Sequence, residues 1–276
     1  MRNGGTVSLF EAEFYKMKGV IVFMMNIQKL MLITVMSFLT ISCGGGGGSD
    51  DNTEDRNVTE NDSPGGIWQG KVTFTDTDET NEAIAFITEA GTLRMLSDDG
   101  EQTIGDVTVT GTSFTASITS YAPNGMVFDI NNSPVLSGTA EGEINERSSL
   151  SGTTTVENQV TSTFSFTYDS AYEQTSSLSA ISGRYSDSDE TGYTETYTIN
   201  DQGVITGSDS DGCQFSGQVQ IINSDFNLYR IEITVTNCGE LNDDYAGLAA
   251  LLDDGDTLGV SISGNAYVIS GSLPRS

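Results

Sequence analysis

The sequence predicts an all-β protein: two tandem small antiparallel β-barrels, or sandwiches, that follow a signal peptide and a disordered tether. Three observations support this fold class. Apolar residues alternate with polar ones from Gly66 onward, turn residues separate the alternating runs, and a Gly-x-aromatic segment occurs twice.

Alternation with a period of two is clearest in STFSFTY, where Phe164, Phe166 and Tyr168 share one face. This pattern indicates half-buried antiparallel strands. Between such runs lie SDDG, APNG, NDQG, SDSDG, DDGD and SGN, which supply the Asp, Asn and Gly that tight turns need. Short strands at intervals of about 8 to 12 residues favour a sandwich or a closed barrel.

Two modules are predicted because Gly66-Ile67-Trp68 is echoed by Gly183-Arg184-Tyr185. The stretch TSSLSAISG before the second segment has no clear alternation, as expected of a linker. We therefore predict one barrel-like module over residues 65–178 and a second over residues 179–276.

The segment YAGLAALLD, residues 245–253, is the one candidate helix. Ala and Leu favour a helix, but nine residues with an internal Gly247 would be marginal. We favour a strand with Tyr245, Gly247, Ala249 and Leu251 on one face.

The first 42 residues are predicted to be a signal peptide. Lys29 precedes a short apolar run, residues 30–41, and small Ser42 comes before Cys43. Met17, Met24 and Met25 are alternative starts, because 42 residues is long for a signal. An uncleaved membrane helix over residues 20–41 is the alternative, but it would bury Lys29 in the bilayer.

Leu39-Thr40-Ile41-Ser42-Cys43 resembles the lipobox of Gram-negative bacterial lipoproteins. The resemblance implies that Cys43 becomes the first mature residue. Its sulfur would carry a diacylglycerol anchor, and its amino group would be acylated with a fatty acid such as palmitate. An Asp after the cysteine is that family's inner-membrane retention signal, so Gly44 implies the outer membrane. Residues 43–64, rich in Gly and acids, are predicted to be a flexible tether.

Gly66-Ile67-Trp68 also resembles the first strand of lipocalin-like barrels. That resemblance implies an aromatic side chain that plugs the closed end of the barrel. The alternative is an ordinary core aromatic at the start of a strand.

Composition restricts the function. Residues 43–276 keep 7 of the 11 Lys and Arg and 37 of the 39 acids, so their formal charge is 7 minus 37, or −30. Such a chain would be repelled by phosphate backbones, which excludes nucleic acid as a partner.

The chain has no histidine, the commonest metal ligand and general base. We expect no enzyme activity, no catalytic residues and no cofactor.

Cys213 and Cys238 flank two predicted strands and are expected to form a disulfide. A hairpin symmetric about Asp225 and Phe226 places them opposite each other. That register pairs Val219 with Glu232, so apolar and polar faces would meet. A one-residue β-bulge, near Gly217 or within residues 237–239, would restore the match. Two free buried thiols are the alternative.

Acidic clusters raise the question of calcium, which binds several carboxylates close together. Asp209, Asp211 and Gly212 resemble a fragment of a calcium loop. No cluster has the spacing of a complete loop through a closing Glu, so we favour solvated turns and assign no metal site.

The sequence therefore predicts a non-enzymatic protein lipid-anchored in the outer membrane, with a structural or interaction role in the cell envelope. Its partners are the membrane, through the anchor, and a protein or small apolar ligand. The alternative function is binding of a small apolar ligand inside a lipocalin-like barrel. A barrel of eight short strands either is filled by side chains or holds one small ligand.

Overall fold

The computed structural model describes residues 61–123, 125–189 and 192–276. Over these residues nearly all regular structure is strand, and sixteen strands form two antiparallel sheets of eight. The strands are β1 Gly66–Phe74, β2 Thr80–Ile87, β3 Thr92–Ser97, β4 Gln102–Thr110, β5 Ser113–Tyr121, β6 Val135–Asn145, β7 Ser149–Val156, β8 Gln159–Asp169, β9 Gly183–Ser188, β10 Thr194–Ile199, β11 Val204–Asp209, β12 Gln214–Ile221, β13 Tyr229–Thr236, β14 Asp243–Leu252, β15 Thr257–Ser263 and β16 Val268–Pro274.

The first sheet is a closed barrel in which each strand pairs with the next and β1 pairs with β8. Trp68 lies opposite Ala85 on β2 and opposite Tyr168 on β8. Closure leaves no unpaired strand edge, so every strand of this module has two hydrogen-bonded neighbours.

The second sheet has the same meander order, from β9 to β16. Its two edge strands approach at one end, where Tyr185 and Arg275 form an isolated bridge and the Ser276 N–H donates to the Arg184 carbonyl at 2.8 Å. The sheet is therefore barrel-like. The all-β class and the tandem arrangement of two eight-stranded sheets are confirmed.

The chain crosses between the two sheets through residues 170–182. A 3-10 turn, Ser170–Glu173, is capped by the Asp169 carboxylate, which accepts from the Ala171 N–H. The only α-helix in the described part of the chain, α1 Leu178–Ile181, follows and is capped by Ser177. The predicted boundary at residue 178 falls within this crossing.

Residues 245–252 of the candidate helix lie in a strand, as expected, and Asp253 begins the 3-10 turn that follows. Within β14, Tyr245, Ala249 and Leu251 point into the second barrel's core. Cross-strand pairing to β13 and β15 supplies the backbone hydrogen bonds that an isolated nine-residue helix would need to form alone.

A third apolar cluster lies between the two barrels. Phe86 and Ile84 of β2 pack on their outer face with Leu248 and Leu252 of β14. In this region both faces of the strands are buried, so β2 ends in five consecutive buried residues and so does β14.

Polar contacts reinforce this junction. The Arg94 guanidinium donates to Ser263 Oγ at 2.8 Å and to the Ala246 carbonyl at 3.3 Å. Burial lowers the pKa of Arg94. The Asn227 amide group donates to the carbonyls of Ala171 and Leu251. The two barrels are thus joined by a packed interface as well as by the linker.

Candidate ligand-binding site

The interior of the second barrel contains a cavity of about 90 Å³. It is lined mainly by aliphatic side chains that alternate inward along the strands, among them Ile231 and Ile233 of β13 and Val260 and Ile262 of β15. Gly271 of β16 also lines the cavity, and because glycine has no side chain, this position leaves space on that side. The cavity is apolar in its depth.

One end of this barrel is closed by α1. The Tyr185 hydroxyl donates to the Ile181 carbonyl at 2.7 Å, and Tyr185 and Ile181 are both fully buried. Arg275 covers the same end, since its guanidinium lies 5.2 Å from the Tyr185 ring and donates to the Ala180 and Ser182 carbonyls.

The opposite end carries three carboxylates in direct register. Glu195 of β10 pairs with Asp187 of β9 on one side and with Asp209 of β11 on the other. All three alternate in phase with inward-facing residues such as Tyr185 and Ile205, so they face the interior. Glu195 and Asp209 line the cavity and are partly exposed, which identifies this end as its mouth.

Two tyrosines hold these carboxylates in place. The Tyr193 hydroxyl donates to Asp209 Oδ2 at 3.0 Å, and the Tyr197 hydroxyl donates to Glu195 Oε2 at 3.1 Å. The Tyr197 ring stacks on Phe215, with ring centroids 4.8 Å apart. The mouth therefore combines oriented acids with aromatic walls.

The charge at this mouth is uncompensated by any described cation. Burial raises the pKa of Glu195 to about 7, the Tyr197 hydrogen bond opposes the shift, and the charges of Asp187 and Asp209 add to it. Ion pairs between described residues join Lys71 to Glu82 and Arg147 to Glu146 and Glu173, all remote from the mouth.

Cys213 and Cys238 lie beside the mouth, with their Cα atoms 4.7 Å apart and their sulfurs at disulfide distance. The hairpin register predicted from the sequence, symmetric about Asp225 and Phe226, is wrong. Val219 pairs with Ile231, not with Glu232, so apolar side chains meet. Asn237 adopts a left-handed conformation with φ of 59° after β13, and this extra residue brings Cys238 opposite Cys213. The irregularity lies in the second of the two predicted places.

The acidic loop next to the disulfide is organised as a turn. Asp209 Oδ1 accepts from the N–H groups of Asp211 and Cys213, each at 2.9 Å. Asp211 is exposed. Asp209 also lies within 4.8 Å of both cysteine sulfurs, but sulfurs bonded to each other lack the thiolate that ligates metals. Of the three residues that resemble a calcium-loop fragment, Asp209 thus caps its own turn.

The interior of the first barrel is occupied by aromatic and aliphatic side chains. Trp68 is fully buried, donates from its Nε1–H to the Pro64 carbonyl at 3.2 Å and meets the Tyr168 ring edge-on at 5.3 Å. Phe114, Phe164 and Phe166 fill the middle of the barrel. Trp68 and Tyr185 are each the third residue of the first strand of their barrel, so the repeated Gly-x-aromatic segment marks equivalent positions.

Cys43 and Gly44 lie outside the described residues, as does the tether up to residue 60. Lipidation of Cys43 therefore stays a prediction. At residues 61 and 62, the Asp62 N–H donates to the Gly111 carbonyl and the Asn61 amide oxygen accepts from the Gly111 N–H, which fixes these two residues on the first barrel. No helix among the described residues is long and apolar enough to cross a membrane.

No protein-family model, curated protein or solved structure matches the chain. The lipobox and lipocalin-like resemblances therefore stay predictions, and the function must be inferred from the site itself.

Sequence reasoning missed the acidic mouth, although a signal for it exists. In YTETYTI, Glu195 is in phase with Tyr193, Tyr197 and Ile199, and a charge on the apolar face of an alternating strand is unusual. Asp209 is likewise in phase with Ile205. An acidic residue in phase with the apolar residues of an alternating strand thus indicates a charge that faces the barrel interior.

Proposed function

We propose that the chain is a non-enzymatic lipoprotein of the outer membrane, anchored through Cys43, whose second barrel binds a small apolar ligand. The observation that carries the ligand-binding part is the apolar cavity of about 90 Å³, closed by α1 at one end and accessible at the other. An engineered apolar cavity of roughly 150 Å³ binds benzene, so by proportion this one has room for about four carbon atoms.

A ligand of this size binds weakly. At the ceiling of about 1.5 kcal/mol per non-hydrogen atom, four atoms contribute about 6 kcal/mol, which corresponds to a Kd of tens of micromolar at best. Longer ligands fit only if the remainder extends through the mouth. The site therefore suits a short apolar group more than a whole fatty-acyl chain.

Ligand-observed NMR with n-butanol tests the binding. We expect saturable binding to the wild-type protein and its loss in Ile233→Phe, which adds bulk to the cavity lining. Thr206→Phe, which adds the same ring to an exposed position on β11, is the matched control and should bind as the wild type does. Equal binding by Ile233→Phe and wild type would place the ligand outside the barrel and contradict the proposal.

The anchor has its own test. Metabolic labelling with a palmitate analogue should modify the wild-type protein and leave Cys43→Ser unmodified. Fractionation of the labelled cells should recover the wild-type protein with the outer membrane. Equal labelling of both forms would refute anchoring through Cys43.

A structural or interaction role has separate support. Met126, Val127, Val135 and Val160 are exposed at one end of the first barrel. The Asn131 amide donates to Glu157 at 2.6 Å and holds the β5–β6 loop against the β7–β8 turn at this end. Cross-linking in intact cells should give adducts from a photoreactive residue at position 126 and none from one at exposed Thr206. Absence of adducts at position 126 would count against this role.

A further inference from the structure

We propose that the ligand of the second barrel is a small alkylamine, with its short apolar tail in the cavity and its ammonium group between the carboxylates of Glu195 and Asp209. This inference rests on the proposed ligand-binding function and specifies its chemical class. The apolar cavity indicates that a ligand binds, and the groups at its mouth indicate which polar end that ligand carries.

The acids at the mouth lie close together and have no cationic partner among the described residues. Glu195 and Asp209 line the same cavity, are direct cross-strand partners, and have Asp187 in register beside them. Like charges directly opposite each other destabilise a sheet. No described residue supplies an ion pair to offset this repulsion. A cationic ligand would offset it, whereas an anionic one would add to it.

The carboxylates at the mouth also keep free hydrogen-bond acceptor sites. A carboxylate has about four acceptor sites. Among the described residues, Glu195 receives a side-chain bond from Tyr197 alone, so acceptor sites remain on an interior carboxylate. An ammonium group has three donors and no acceptor, which matches a mouth composed of acceptors.

Both carboxylates are held in a fixed orientation by tyrosine hydroxyl groups. Tyr193 and Tyr197 direct their hydroxyl hydrogens at Asp209 and Glu195, so both carboxylates are held before a ligand arrives. The stacked Tyr197 and Phe215 rings flank the path from the mouth into the apolar part of the cavity. A preformed pair of acids above an apolar pocket selects a molecule with one cationic and one apolar end.

Proton linkage follows from the same geometry. The titratable groups that face Glu195 are Asp187 from β9, Asp209 from β11, Tyr197 on its own strand and Tyr193 just before it. In the free protein the pKa of Glu195 is raised to about 7. An ammonium group favours the ionised carboxylate, so ligand binding at pH 6 should release close to one proton.

The experiment is isothermal titration calorimetry of the wild-type protein at pH 6, with n-butylammonium, n-butanol and n-butyrate as matched ligands. Two buffers with different ionisation enthalpies report the protons released. We expect n-butylammonium to bind roughly tenfold more tightly than n-butanol, because a charge-assisted hydrogen bond is about twice as strong as a neutral one. We expect n-butyrate not to bind.

Glu195→Gln is the diagnostic variant, and Glu232→Gln, which removes an exposed acid from the outer face of β13, is its charge-matched control. Glu195→Gln should reduce the preference for the amine, since only the Asp209 carboxylate then remains, and should abolish the proton release, while Glu232→Gln should keep both at the wild-type level. If Glu195→Gln does not fold, the three ligands and two buffers applied to wild type decide alone.

Equal affinity of n-butylammonium and n-butanol, or amine binding without proton release, would overturn the amine inference and leave apolar ligand binding intact. An amine preference as large in Glu195→Gln as in wild type would overturn it too. Failure of all three ligands to bind would overturn both proposals.

Discussion

Glu195 and Asp209 face each other across β10 and β11 with both carboxylates inside the second barrel, at the mouth of an apolar cavity. Interior positions of small barrels usually hold apolar side chains that fill the space. Acids placed there destabilise the folded state, and a ligand that neutralises them would recover that free energy. The same residues therefore lead to predictions about stability and about binding.

Stability should depend on pH through Glu195. Its folded-state pKa is raised from 4.5 to about 7. The folded state thus holds the proton more tightly, so this contribution is fully present below pH 4.5 and is lost as pH rises through 7. Between pH 5 and 8 the free energy of unfolding of wild type should fall by about 2 to 3 kcal/mol more than that of Glu195→Gln. Urea denaturation at both pH values measures this difference.

Glu101 provides an internal comparison for that measurement. Burial raises its pKa to about 7 as well, in the first barrel. Glu195→Gln should therefore keep part of the pH dependence, and the double variant with Glu101→Gln should lose more of it. Identical pH profiles for wild type and both variants would contradict the burial of these carboxyl groups.

Loss of the disulfide should destabilise the second module. Cys213 and Cys238 are 25 residues apart in sequence, and closing a loop of this size contributes about 3 kcal/mol. Cys213→Ala/Cys238→Ala should lower the free energy of unfolding by about that amount in guanidinium denaturation. A thiol reagent added to the denatured, unreduced mature protein should find no reactive thiol in wild type. Two reactive thiols would show that the bridge does not form.

Arg275 should matter more than its place near the chain end suggests. It donates to the Ala180, Ser182 and Gly255 carbonyls and covers the Tyr185 ring. Arg275→Gln should lower the free energy of unfolding by about 2 kcal/mol, since hydrogen bonds to a charged group contribute more than neutral ones. Arg230→Gln, an exposed position with the same charge change, should shift the thermal midpoint little. Equal shifts would argue against a closing role for Arg275.

The two barrels should unfold together. Phe86 and Leu248 are nearly inaccessible to solvent in the interface between the barrels, at 3% and 4% exposure. Phe86→Ala should lower the free energy of unfolding by about 3 kcal/mol. It should also replace the single calorimetric unfolding transition by two, one for each barrel. Val127→Ala, at an exposed position, is the control. Two independent transitions already present in wild type would show that the interface does not couple the barrels.

The sequence predicted the strands because alternation directly reports which face of a strand is buried. It predicted the strand at residues 245–252 for the same reason, whereas the repeated Gly-x-aromatic segment indicated the equivalent places of Trp68 and Tyr185. The interface between barrels was missed because it breaks that rule. Phe86 and Leu248 lie in consecutive apolar runs, AIAFI and LAALL, that indicate burial on both faces.

Other features could not be predicted from local patterns. The Arg94 contact with Ser263 joins residues 169 positions apart, and nothing near either residue specifies the other. The position of Cys238 beside Cys213 involves a left-handed residue, Asn237, directly after the paired part of β13. The cavity depends on how inward side chains of eight strands fill a common volume, which no single strand determines.

The most direct test of the central claim is a crystal structure of the protein pressurised with xenon, a probe for empty apolar cavities. We expect a xenon atom inside the second barrel, in contact with Ile233 and Val260, and its absence from Ile233→Phe crystals. A wild-type crystal with no xenon in that barrel would show that the barrel interior is filled and holds no ligand cavity.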